Sequence, residues 1–208
     1  MKNVLALSAV LGAFSLFASS AVLQPIEIAN AAEAYEQPKF KPGTTFKYQI
    51  KWNTLEKGTM SLTFKGMDGA NYDFGNYLLS PELRLERKNA KRKRAYAPVQ
   101  FPLIPGTKRH YKDAFGAAAA QCGEVVHDMT VETGNLETVE LAGNKYEVLR
   151  IKHSGTSTSS CGNEDVKRVY LYSPKLGIWV YDLFNIEANG TSRNRVERTL
   201  VSASIPTQ

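Results

Sequence analysis

The sequence predicts an all-β fold, an antiparallel and strongly curved sheet (half-barrel) or a sandwich of about nine strands. Three observations predict it. Phe46, Tyr48, Ile50 and Trp52 alternate with Lys47, Gln49 and Lys51, the period of two that turns one face of a strand inward. Short segments rich in β-branched and aromatic residues then recur, separated by Gly, Pro, Asn and Asp, which is strand and turn chemistry. No stretch carries a sustained apolar stripe at helical spacing.

Taken in order, residues 1–31 read as a secretory signal peptide. Lys2 precedes an uncharged apolar run from Val4 to Phe17, and small residues follow from Ala18 to Ala21. The Ala29-Asn30-Ala31 box places cleavage after Ala31, in competition with Ser19-Ser20-Ala21; retained, residues 4–23 have about the 20 residues that a membrane anchor needs. Cleavage implies a periplasmic or secreted protein. Residues 32–44, with Pro38, Pro42 and Gly43, read as a linker, and 45–205 as a single antiparallel β domain.

Within that domain, the Phe46–Trp52 strand and a second alternation at Met60, Leu62 and Phe64 form a hairpin through a loop at Glu56, Lys57 and Gly58. Tyr72 to Leu78 is a third strand. Ser80-Pro81-Glu82 has the chemistry of a helix start, but Leu83 to Lys88 lacks a helical stripe and fits a strand of a second hairpin turning at Asn89-Ala90. Further strands are expected at Val125–Val131, Glu137–Leu141, Tyr146–His153, Val166–Tyr172, Trp179–Ile186 and Arg193–Val201. Asn189-Gly190 suits a type I′ turn pairing the last two strands, which also explains the Asn189 glycosylation sequon. Ser173-Pro174-Lys175-Leu176-Gly177 supplies another reversal. Gly155 to Cys161 reads as a flexible loop, and Ala117 to Ala120 as a loop or a short helical turn.

The chain carries a net charge of +6, unchanged by removal of residues 1–31, so anionic partners are the default expectation. The only cysteines, Cys122 and Cys161, sit in an exported chain without a C-x-x-C motif, which predicts a disulfide; a loop of that length is worth about 4 kcal/mol. Arg84, Arg87, Lys88, Lys91, Arg92, Lys93 and Arg94 form a basic cluster opposed locally by Glu82 and Glu86, and Lys108, Arg109 and His110 follow. Export turns such a cluster toward anionic lipid or glycolipid and away from physiological nucleic acid. The plainer reading is a solvated hairpin whose cations guard an edge strand.

No P-loop, dinucleotide fingerprint, H-E-x-x-H or G-x-S-x-G motif occurs, so the chain indicates no cofactor and no catalytic residue. His110, His127 and His153 lack metal-ligand spacing; a hydrolase built on His127, Asp128 or His153 is the weakest alternative. Tyr48, Trp52, Tyr72, Phe74, Tyr170, Tyr172, Trp179 and Tyr181 lie at strand period and read better as core than as the lining of a ligand groove.

Phe46-x-Tyr48-x-Ile50-x-Trp52 with Gly58-x-Met60-x-Leu62, the 97–106 segment Ala-Pro-Val-Gln-Phe-Pro-Leu-Ile-Pro-Gly, the Glu137–Tyr146 segment and the Tyr172–Gly177 turn together resemble an exported bacterial domain family of unknown function. The resemblance implies a curved antiparallel sheet similar to that of periplasmic lipoprotein carriers, over residues 45–186. It carries over no catalytic residue, and the chain departs from the carriers in lacking a helical layer. The expected function is binding of an amphipathic or anionic envelope component, with the 84–94 cluster meeting the head group. The alternative is a structural or assembly partner of another envelope protein.

Overall fold

A computed structural model describes residues 33–89, 99–116 and 123–207, with only the backbone of 113–116. Twelve strands and no helix occur among them. They are β1 Thr45–Trp52, β2 Leu55–Thr63, β3 Gly66–Asp68, β4 Asn71–Asp73, β5 Tyr77–Leu79, β6 Leu85–Arg87, β7 Lys108–Gly116, β8 Glu124–Leu141, β9 Asn144–Ser159, β10 Gly162–Ser173, β11 Ile178–Ala188 and β12 Thr191–Ser204. Eight form one sheet in the order β2-β1-β12-β11-β10-β9-β8-β7, and β3 to β6 form a separate four-stranded meander. Every pairing is antiparallel. The large sheet stays open, with β2 and β7 at its edges; the antiparallel all-β class read from the sequence is the class found.

The alternation in β1 holds at Phe46 and Tyr48, fully buried, and across the hairpin at Met60 and Leu62, but it fails at Trp52, which lies exposed beyond the end of the core. The turn sits elsewhere. Trp52 pairs directly with Leu55, and Asn53 and Thr54 hold the positive φ of a two-residue loop. Glu56 to Gly58, read as the loop, belong to β2, where a shift of register between Ile50 and Lys51 makes Lys57 the extra residue of a bulge. The third strand is two strands, because Gly75 at φ +78° reverses the chain between β4 and β5. Leu85–Arg87 is indeed a strand, but it pairs backward with β5 through a turn at Ser80–Arg84. Ser80 Oγ accepts the Arg84 N–H there at 3.2 Å, the role a helix cap would have had.

Val125–Val131 and Glu137–Leu141 are parts of one strand, β8, whose pairing with β9 shifts between Thr133 and Leu136. The polar stretch before Cys161 continues β9 to Ser159. Asn189 and Gly190 take the expected positive φ values, 52° and 73°, and join β11 to β12. Gly177 at φ +69° closes the Ser173–Gly177 reversal. The 117–120 alanine run, the signal segment and Lys91 to Arg94 lie outside the described residues.

One core joins both sheets. Tyr72, Phe74, Leu79 and Leu83 of the meander region pack in the same cluster as Phe46, Tyr48, Leu149, Tyr172 and Trp179 of the large sheet. Residues 33–44 run over it as a strap without a strand of their own. Phe40 stacks at 5.0 to 5.7 Å from Phe46, Phe64, Tyr72 and Phe74, Tyr72 donates its hydroxyl to the Pro38 carbonyl at 2.7 Å, and Tyr35 exchanges backbone hydrogen bonds with Leu103.

Candidate functional site

Three arrangements could carry function. The first is the described part of the basic cluster. Arg84 ion-pairs with Glu86 at 3.1 Å, and Lys88 with Asp73 at 2.8 Å and Asp68 at 3.5 Å. Lys88 is thereby held above, and Asp73 below, its ordinary pKa, chiefly by their mutual hydrogen bond. Arg87 is exposed and lines, with Lys88, Gly75, Asn76, Tyr77 and Asn89, an open polar hollow of about 470 Å³. Neutralisation of two of these cations at the surface weakens the cluster as an anion trap on this side.

The second arrangement is a cavity of about 180 Å³ between the 99–107 segment and strands β7 to β9. Val99, Phe101, Leu103 and Ile104 line it together with Val131, Thr133 and Ile151, and Arg109 is the one charged residue in the lining. Backbone hydrogen bonds hold the 99–107 segment in place as this roof: the reciprocal Tyr35–Leu103 pair, Val99 N–H to the Glu82 carbonyl at 3.3 Å, and Gly106 N–H to the Thr133 carbonyl with Thr133 N–H to the Thr107 carbonyl, both at 2.8 Å. Arg109 is on β7 opposite Val131, so its side chain shares the inward face. Burial lowers its guanidinium pKa from the ordinary value, and it donates to the Gln100 side-chain carbonyl. An apolar chamber with a partly desolvated cation in its lining has the chemistry to take a small amphipathic anion.

The third is an ionic band across the inner face. Asp182 on β11 is fully buried, receives Arg168 of β10 bidentately at 2.9 and 3.0 Å, and is also bonded by Arg198 of β12. Burial alone would raise its carboxyl, but the two guanidiniums more than offset this and hold it below the carboxylate range. Arg168 also lies 4.3 Å over the Tyr170 ring. Opposite Arg168 sits His153, buried, with no hydrogen bond to Nε2 and a pKa lowered to about 3 by burial, then by Arg168 and Arg109. This band joins charges from strands 14 to 30 residues apart and is paired internally, the signature of structure more than of turnover.

His127 and His153 do not converge with Asp128. His127 and His153 are buried, whereas Asp128, the next residue along β8, turns to the other face and binds His110 at 2.6 Å in an exposed pair. Strand alternation separates what sequence adjacency suggested. Among the described residues no three His, Cys, Asp or Glu side chains are grouped as metal ligands. Cys161 stands at the exposed β9–β10 tip, with its N–H on Ser159 Oγ at 3.2 Å; Cys122 lies outside the described residues, so the bridge between them stays an expectation. The aromatic face is filled: Tyr48, Tyr172 and Trp179 are all buried to 1% exposure or less.

Fold and site together define an open antiparallel β protein with a covered aromatic core, an ionic band and a small apolar cavity. No protein-family model matches the chain, and no curated protein matches it. Among solved structures, the hypothetical lipoprotein YmcC from Escherichia coli K12 is similar at 13% identity, over 80% of this chain and 87% of that one, with a TM-score of 0.40. The resemblance to an exported domain family rests on the motifs quoted above.

Proposed function

We propose that the protein is an exported, envelope-associated binding protein whose ligand is a small amphipathic anion, a lipid or glycolipid fragment with an acidic head group. The cavity beneath residues 99–107, lined largely by apolar residues with Arg109 as the one charged residue, carries the reading. The export-type N-terminus and the net charge of +6 support it. The cavity is smaller than the roughly 300 Å³ at which drug-sized pockets begin, so it receives a short acyl segment while the rest of the ligand lies outside. The Arg84 to Arg94 cluster is then the outer contact for the head group. Val99, which lines the cavity, donates its N–H to the carbonyl of Glu82, two residues before Arg84.

Calorimetric titration tests this with octanoate, octanol and octylamine. Octanoate binds, octylamine does not, and Arg109→Gln lowers octanoate affinity by about tenfold, as loss of one charged hydrogen-bonding partner does. Equal affinity for octanoate and octylamine sinks the proposal. A second reading, assembly with another envelope protein along a sheet edge, draws on the unpaired outer side of β2. The bulge and lysine at position 57 are the features that deter such pairing, and the binding reading is preferred.

A further inference from the structure

We propose that the tip of the β1–β2 hairpin docks into the interface of an anionic phospholipid bilayer. Trp52 and Leu55 are 48% and 63% exposed and stand directly opposite each other across the turn. Trp52 continues the inward series Phe46, Tyr48 and Ile50, but it lies beyond the end of the core that buries the first two. The turn between them is fixed. Asn53 N–H donates to the Arg195 carbonyl, and Arg195 N–H to Asn53 Oδ1, both at 2.8 Å. The pair is thus presented on a rigid end tied to β12, which lowers the entropy lost on docking.

Charge selects the occupant. Lys51 and Lys57 flank the pair, are exposed and enter no ion pair among the described residues; Glu56, opposite Lys51 in the register, accepts from the Gln49 side chain and leaves the two cations in excess of one carboxylate. Cations set just behind an aromatic and an aliphatic residue match an anionic head-group layer over an acyl boundary, where Trp concentrates. A protein partner fits less well. Two side chains on a protruding two-residue turn offer far less than the roughly 800 Å² per side of a standard protein interface, whereas shallow insertion requires only such a tip.

The chain contains two tryptophans, and Trp179 is fully buried, so quenching by brominated lipid reports Trp52. With vesicles of phosphatidylglycerol and brominated phosphatidylcholine, the protein shows quenched, blue-shifted emission, and pure phosphatidylcholine vesicles give much less. Leu55→Ser weakens vesicle binding about tenfold, and Lys51→Glu with Lys57→Glu removes the preference for phosphatidylglycerol. Emission from Trp179 confirms that each variant is folded. Binding without Trp52 quenching, no binding, or unchanged binding of Leu55→Ser overturns the proposal. Octanoate titration of Leu55→Ser is unchanged if the cavity reading holds, so the two proposals fail separately.

Discussion

The two halves of the inner face of the large sheet are closed in different ways. Toward the Ser173–Gly177 turn, the four-stranded meander and the 33–44 strap cover it with rings, and Phe40 alone contacts four other aromatics. Toward the hairpin tips, the same face crosses a band of His153, Arg168, Asp182 and Arg198, and a smaller cluster of Met129, Val166 and Phe184 lies beyond it. The aromatic half gains its stability from area removed from water, which tolerates changes of shape. The ionic half holds charges whose desolvation is offset only while every partner stays in place. Its failures are therefore larger and depend on pH.

The largest expected effect is acid sensitivity through His153. Its folded pKa of about 3 lies below the ordinary 6.5, so between these values the unfolded chain binds a proton that the folded chain refuses. Stability is complete above pH 6.5 and is lost as pH falls toward 3, by close to 5 kcal/mol at about 1.4 kcal/mol per pH unit. Urea titrations at pH 7 and pH 4.5 should show the wild-type midpoint falling well below that of His153→Gln, which is relieved of this slope. Parallel midpoints in the two proteins would show that the imidazole already takes the proton in the folded state.

Next in size is Asp182→Asn, which leaves Arg168 and Arg198 without their shared carboxylate. The expected loss is about 3 to 5 kcal/mol at neutral pH, read from denaturant midpoints. Because Asp182 is held below its usual pKa, its contribution persists above pH 4 and disappears as pH falls through the folded value. The gap between wild type and Asp182→Asn therefore stays open at pH 5 and begins to close only as pH falls below the ordinary aspartate range. A gap that closes by pH 5 would place the coupling in His153 instead.

The aromatic half was legible in the sequence and the ionic half was not, for a physical reason. Phe46, Tyr48 and Leu62 announce an inward face by alternation, and Asn189-Gly190 announces its turn because both residues tolerate positive φ. Arg168 and Arg198 look like further charges beside Lys167 and Glu197, and Asp182 like a polar interruption in an apolar strand. Their meaning lies in pairing across β10, β11 and β12, which no local pattern contains. The available signal was one lone charge at an inward position on each of three consecutive strands. β7 escaped because Lys108, His110 and Lys112 alternate outward on an edge strand and read as a basic run. The 155–161 stretch escaped because small polar residues read as a loop; yet a Cβ at Gly155 would come within 2.0 Å of the Asp128 carbonyl, so glycine there serves close strand approach. Arg109 reads in the sequence as a charge near the basic cluster, but the cavity beside it depends on the roof supplied by Val99 to Ile104.

The smallest effect concerns the strap, where the sequence suggested a linker. If residues 32–44 only led into the domain, Phe40→Ala would change stability by less than about 0.5 kcal/mol, as an exposed substitution does. Phe40 is half-buried against Phe46, Phe64, Tyr72 and Phe74, so truncation should cost about 2 kcal/mol, below the range for a fully enclosed ring. The loss should be the same at pH 7 and pH 4.5, because the ring partners of Phe40 carry no group that titrates in that range, and Phe40→Leu should restore more than half of it. Gly177 adds a structural check on the same contact: a Cβ there would stand 2.6 Å from Pro38 Cβ, so the strap lies hard against the β10–β11 turn. A loss that changed with pH would connect the strap to the ionic band and remove the contrast between the two halves.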